Sequence, residues 1–313
     1  MPQLPLVLRQ AKTRFLALSL LAVGVVTRNR AELPPFQLNP DRVIVSAFGG
    51  SLGSSKTFYV PTATIIVSAS GSVWAQSKNG SANAQAHAKF YVRGLDKALL
   101  QDLARQVQDD LVKKLRDAGY TVLTYEDLKT DPRMVKHDRD DPDDKWHLPT
   151  MHKDPNVYLL ANPTDAQAFD KPITGPLFWM RDLIKEKGVI AIVPEITFTV
   201  PQVWGEKTTG YKRAEANVNI TPALKLAGAM IYTANAKGPV NIQIQEHGTR
   251  LVAETAGTIK KVDEDSYNFT SSWGRSSADY VFYLDQKVFA AGVLRVSDQI
   301  NTYVVEKIKK AKK

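Results

Sequence analysis

Between Leu95 and Ala118 an apolar residue recurs at every fourth position: Leu95, Leu99, Leu103, Val107, Leu111 and Leu115, widened by Ala98, Ala104 and Val112. Lys97, Gln101, Asp102, Arg105, Asp109 and Lys113 occupy the opposite face. This spacing predicts one long amphipathic helix. A single apolar stripe must be buried, so the rest of the chain has to supply a layer that covers it. Gly119 stands where a left-handed cap ends such a helix, and Tyr120–Tyr125 (YTVLTY) follows as a short strand. The helix is therefore expected to lie on a sheet that contains this strand.

The remaining pattern supplies the sheet. Arg42–Phe48 (RVIVSAF), closed by Gly49-Gly50, reads as a buried strand and turn. Thr64–Gln76 and Ala82–Val92 read as the arms of a hairpin about Asn79-Gly80. Ala82, Ala84, Ala86, Ala88, Phe90 and Val92 fall on one face of the second arm, while Asn83, Gln85, His87, Lys89 and Tyr91 fall on the other. That is the strand period, although so much alanine is also compatible with a helix. Beyond Lys171, Leu177–Lys187 reads as a short helix ending at Gly188. Strands follow at Val189–Val200, Arg213–Ile220, Leu224–Ala234, Val240–Gln245 and Leu251–Ile259. Leu284–Lys310 closes the chain as a helix with Phe289, Val293, Val296, Ile300, Val304 and Ile308 on one side.

These elements predict an α+β (mixed α/β) fold: a largely antiparallel sheet packed by one long central helix and a long C-terminal helix. Residues 1–31 form a separate segment. Residues 32–128 are an α/β half with the hairpin and central helix, and 129–171 an irregular insertion rich in Asp, His and Pro. Residues 172–313 are a β-rich half closed by the C-terminal helix, and 32–313 together make one domain.

Charge and address constrain function more than any motif does. Arg9, Lys12 and Arg14 precede the apolar run Phe15–Val26, with Ala31 beyond it. A basic flank and a short apolar segment make a signal-peptide-like leader, too short to span a bilayer. Arg28 and Arg30 depart from that pattern by placing charge where a cleavage region favours small neutral residues. The formal charge of +9 is concentrated at the ends, and residues 32–306 hold 31 basic against 32 acidic residues. Such a body lacks the electrostatic footprint of a nucleic-acid binder. The lysines from Lys307 to Lys313 read as the cationic last turn of a helix, or as a contact for a membrane surface or cell wall. There is no cysteine, which excludes thiol catalysis, disulfides, thiolate zinc sites and an acylated cysteine. Export to a bacterial periplasm or outer membrane is the expectation.

Candidate sites are weak. Gly49–Thr57 (GGSLGSSKT) nearly matches two motifs: a phosphate-binding loop, with Ser55 in place of its second glycine, and a nucleophile elbow centred on Ser51. Both motifs need a helix next, whereas Phe58-Tyr59-Val60-Pro61 follows. A hydrolase could use Ser51 with His247. His137, His147 and His152 lie near Asp138 and Asp140 and could ligate a metal ion, but their spacing fits neither HExxH nor a calcium loop. Glu195, Glu246 and Glu254 could pair as acid and base. Trp179, Trp204 and Trp273 read as core or rim aromatics. None of these patterns implies a cofactor.

The order of elements resembles the α/β domain shared by curli-secretion-channel-like lipoproteins and the TolB amino-terminal domain. The resemblance rests on the apolar strand RVIVSAF, the helix ending at Gly119 and the segment Tyr120–Leu128 (YTVLTYEDL). The helix Leu177–Lys187, the strand VIAIVPEITF, further strands and a closing helix continue it over about two thirds of the chain. It implies a periplasmic assembly or pore component without catalysis. The chain departs from it in having no lipidated cysteine and in the insertion at 129–171, and no site residue carries over. The expected function is a non-enzymatic envelope assembly or scaffold protein with other envelope proteins, or copies of itself, as partners. An outer-membrane pore subunit and a hydrolase are the alternatives.

Overall fold

Helix α1 (Lys97–Asp117) forms as its periodicity predicts, with Leu100, Leu103, Ala104, Val107, Leu111, Val112 and Leu115 buried. Asp96 caps its start, accepting a hydrogen bond from the Leu99 N–H at 2.7 Å. At its end Gly119 takes φ +85°, a left-handed conformation that costs glycine little. Its N–H donates to the Arg116 carbonyl, and the chain reverses directly into β6 (Thr121–Thr124).

The computed structural model describes residues 37–38, 43–46, 52–79, 82–135, 157–169, 177, 180–210, 213–239, 241–244, 256–265 and 273–311. Before α1 lie β1 (Val43–Ser46), β2 (Thr57–Val60), β3 (Thr64–Ser68), β4 (Ser70–Asn79) and β5 (Ala82–Arg93). After β6 come the one-turn helices α2 (Tyr125–Leu128) and α3 (Pro132–Val135), then β7 (Tyr158–Ala161) and α4 (Arg181–Lys187). The strands β8 (Ile190–Thr199), β9 (Gln202–Gly210), β10 (Arg213–Thr221), β11 (Lys225–Asn235), β12 (Gly238–Pro239) and β13 (Asn241–Ile244) follow. The hairpin β14 (Gly257–Asp265) and β15 (Trp273–Leu284) leads into helix α5 (Gln286–Ala311).

A mixed sheet of nine strands forms the base, with the path β1-β13-β11-β8-β2-β6, β12 on β11, β3 beside β8 and β7 beside β3. Its antiparallel pairs include β8–β11 and β1–β13, but β2–β6, β2–β8 and β3–β8 are parallel. The expectation of a largely antiparallel sheet is therefore corrected. Parallel neighbours arise because the chain crosses over through α1, and through the segment ending in α4, before each return strand.

Strand alternation divides the core into two layers. Phe58 and Val60 of β2 and Ile190 and Ile192 of β8 join the cluster with α1 and α5. Tyr59, Ala191 and Val193 face the other way, against Met134, Phe169, Leu177, Met180, Leu183 and Ile184. Both faces are covered, which is why these strands read as continuous apolar runs. The one-central-helix expectation is also corrected: α1 packs against α5, and short helices cover the second face. Val107 and Lys114 of α1 meet Asn301 and Asp298 of α5, so the two long helices run antiparallel. The buried Asn301 amide donates to the Val107 carbonyl at 3.0 Å and to Asp110 Oδ2 at 2.9 Å. Burial disfavours the Lys114 ammonium, but hydrogen bonds to Asp110 and Asp298 outweigh it and raise its pKa.

Between β2 and β3 the backbone leaves the ladder at Pro61–Ala63, and side-chain amides take over its carbonyls. Gln108 donates to the Val60 carbonyl (2.9 Å), Gln167 to that of Pro61 (2.8 Å) and Asn162 to that of Ala63 (3.0 Å). Buried carbonyls without such partners are costly. Part of the expected irregular insertion is thus ordered. β7 pairs antiparallel with β3, and α3 is tied to α4 where Arg133 bridges Asp131 and Glu186.

Candidate functional site

Three hairpins leave the same end of the base and pack together as an arm. β4 continues β3, and β9 continues β8, so the parallel pair β3–β8 feeds two neighbouring hairpins. β15 pairs with β5 in parallel from Trp273↔Asn83 to Tyr283↔Arg93, which brings the third hairpin alongside with its tip at the same end. The order β14-β15-β5-β4 makes one four-stranded layer, and β9–β10 lies over it as a second.

The interior of the arm is built from small residues. Ala75, Ala84, Ala86 and Ala88 face Ala216, Val218 and Ile220 in one buried cluster. The alternation expected in Ala82–Val92 is found at Ala84, Ala86, Ala88, Phe90 and Val92, and the structure decides for strand over helix. Alanine prevails because the layers approach closely: a Cβ built on Gly205 would lie 2.9 Å from the Ala75 Cβ.

The outward face of the four-stranded layer is the candidate site. The ladder aligns Trp74, His87, Gln85 and Lys89 with the β15 positions Ser277 and Asp279, and Tyr283 with Thr258 of β14. Trp74 is 57% exposed and Tyr283 45%. Lys260 holds its ammonium 5.5 Å from the centre of the Tyr283 ring, a cation–π contact. Burial, then the Lys89 charge, lowers the His87 pKa, with Asp279 opposing. Nearer the base, Tyr91 and Val281 lie in the same rows and are buried. On the arm's other outer face Trp204 is 37% exposed and donates from Nε1 to Glu206 at 2.9 Å.

Most residues singled out by sequence lie outside the described residues: Ser51, His247, His137, His147, His152, Asp138, Asp140, Glu246, Glu254 and Trp179. Near Ser51 the chain runs through Ser55, whose hydroxyl donates to the Gly188 carbonyl at 2.6 Å, into strand β2. No helix follows the glycines, so the geometry that either motif requires is not formed. Glu195 sits on β8 opposite Met230 of β11 and Thr64 of β3, away from the arm's tip. Among the described residues no group of three or more His, Asp or Glu side chains is placed to hold a metal ion, and no helix is long and apolar enough to cross a membrane. Trp74 was missed because it sits inside a strand-like run. Counting back along both arms from Asn79-Gly80 would have paired it with Gln85, two residues from its observed partner His87 and likewise opposite in phase to the alanines.

Comparison with known proteins gives no assignment: no family model, curated protein or solved structure matches the chain.

Proposed function

We propose that this chain is a non-enzymatic component of a bacterial cell envelope, exported and periplasmic or outer-membrane-associated. It acts as an assembly or scaffold factor whose working surface is the three-hairpin arm. One observation carries the reading: three long hairpins with their tips at one end present exposed tryptophans, Trp74 and Trp204, on both outer faces. Exposed aromatics on a rigid layer suit contact with a large partner. The signal-like leader and the cysteine-free composition support the envelope address. Partners are other envelope proteins or further copies of the chain. The lysine tail from Lys307 to Lys313 makes a secondary, peripheral contact with a membrane or cell wall, and Lys307 also lies over the Tyr303 ring at 5.2 Å.

Photo-crosslinking from position 204 in native cells tests this reading. Adducts with envelope proteins, in material released by osmotic shock, support it. A cytoplasmic location, or adducts from a base position such as Asp109 and none from 204, would sink it.

The second reading is an oligomeric pore subunit, favoured by alternation along β5 from Ala84 to Phe90 with a small apolar face. Strands of nine to twelve residues in the arm are long enough to span an outer membrane. A detergent requirement for extraction, with ring-shaped particles, would replace the scaffold reading with this one.

A further inference from the structure

The two layers of the arm differ in width. Four strands, β14-β15-β5-β4, make one layer, and two strands, β9 and β10, make the other. β10 rests on β5 and β4, and β9 rests on β4. The smaller layer therefore ends above β5. Among the described residues no strand of it packs over β15 or β14.

The inward row of small residues nevertheless continues past that end. Gly274, Ser276 and Ala278 of β15 stand in register with Ala84, Ala86 and Ala88 of β5, the strand on which β10 lies. Beyond them Lys261 of β14 is exposed, although it stands opposite Tyr280, which is buried. The border of this slot is an open edge. Among the described strands β10 pairs only with β9, from Arg213↔Gly210 to Thr221↔Gln202, without a register shift. Ala216–Thr221 holds no proline and no charge. Natural proteins blunt long edges with such residues or with bulges, and this edge has none of them over that stretch. On β10 itself, Asn219 has its amide nitrogen buried without a hydrogen-bond acceptor, which a neighbouring strand can supply.

We infer that the slot beside β10 and over β15 receives an extended segment of a second protein, which adds to β10 as a third strand of the smaller layer. This rests on the reading of the arm as the working surface and names how that surface holds its partner, through main-chain hydrogen bonds along β10. The slot continues the interface already formed between β10 and β5, so its occupant meets the same conditions. Residues facing β15 are small (Gly, Ala, Ser or Val), because the layers leave no room for a Cβ where Gly205 meets Ala75. Alternate residues face solvent and are polar. A second copy of this chain is the poorer occupant, since each of its arm strands is already paired within a hairpin.

The probe is a capped, fluorescein-labelled nonapeptide that alternates threonine with alanine and valine, titrated into the full chain and followed by anisotropy. Saturable binding is expected. The same peptide with a central proline, which breaks the ladder, should bind about tenfold more weakly. Hydrogen exchange should slow along β10 when the peptide is added and stay unchanged along β4. Ser276→Trp puts a large residue into the inward row of β15 and should abolish binding, whereas Ser72→Trp, at an exposed position of β4, should not. Melting curves confirm that both variants are folded. Any one of four results overturns the inference: no saturable binding, no added protection of β10, equal binding of the proline peptide, or binding indifferent to Ser276→Trp. Dimers that the peptide dissociates would make a second copy the occupant and overturn it too. Crosslinks from position 204 that persist when the peptide fails to bind would remove the slot and leave the scaffold reading standing.

Discussion

Gly205 and Ala75 meet across the two layers of the arm, with room between them for no more than the hydrogen that glycine carries. The neighbouring Trp74 carbonyl oxygen would be 3.2 Å from a Cβ at position 205, so backbone as well as side chain blocks a larger residue. Gly205→Val should therefore separate the layers and destabilise the protein by ~1–3 kcal/mol, the usual range for overpacking. Pairing it with Ala75→Gly should recover part of the loss. Urea melts of the two variants check this, and equal stability of Gly205→Val and the parent would show the layers are not in contact.

Helix α1 offers a contrast between faces. Leu103 and Leu111 are buried, so truncating either to Ala should cost ~2–5 kcal/mol. Replacing the exposed Asp109 should change stability by under ~0.5 kcal/mol. Lys97 bonds to Asp165 at 3.0 Å on the surface, and its loss should also be small. Denaturant midpoints of the four single variants measure the difference.

Acid should loosen the junction between α3 and α4. Hydrogen bonds from Arg133 hold the Asp131 carboxyl at about 2, against an ordinary value of 3.8. Its folded pKa is depressed, so its contribution to stability is complete above 3.8 and disappears as pH falls from 3.8 toward 2. In Asp131→Asn this part of the acid dependence should vanish, leaving a shallower stability profile in that interval. Thermal melts stepped through it will show whether it does.

His87 should titrate below the usual 6.5, because burial first and Lys89 second disfavour its charged form. The unfolded chain then binds this proton more readily than the folded one. Stability falls as pH drops below 6.5 and stops falling once the folded group has itself charged. An NMR titration of the imidazole resonances, assigned through His87→Gln, should place this histidine below a free imidazole. A midpoint above 6.5 would mean that Asp279 dominates its surroundings.

Sequence legibility followed how much of an element's burial is local. The stripe of α1, the Gly119 reversal, β6 and α5 were all readable, because each carries its own period and cap. β15 was not read at all. Its first half, Trp273–Asp279, is mostly polar, and it becomes a strand by pairing with β5, far away in sequence. β7 was hidden for the same reason: four residues inside a polar stretch, fixed by β3. Gln108 sits beside Val107 on the apolar side of α1, and nothing in its spacing announces that it serves the carbonyl of Val60. Of the candidate site, the alternation in β5 was legible, but the charged and aromatic face exists only after two hairpins distant in sequence pair through β5 and β15.

The arm is not hung on the base by a linker. β3 runs into β4 and β8 into β9, and the two lie side by side in parallel where they enter it. A pull on one hairpin relative to the other therefore drags β3 lengthwise along β8, and the bonds from Thr64↔Glu195 to Val67↔Phe198 bear the load together. Bonds loaded in shear share the force, whereas those at the end of an unzipping hairpin break one after another. The molecule is thus built so that tension on its arm reaches the central sheet undiminished, like a bracket whose prongs are cut from the same plate as its foot.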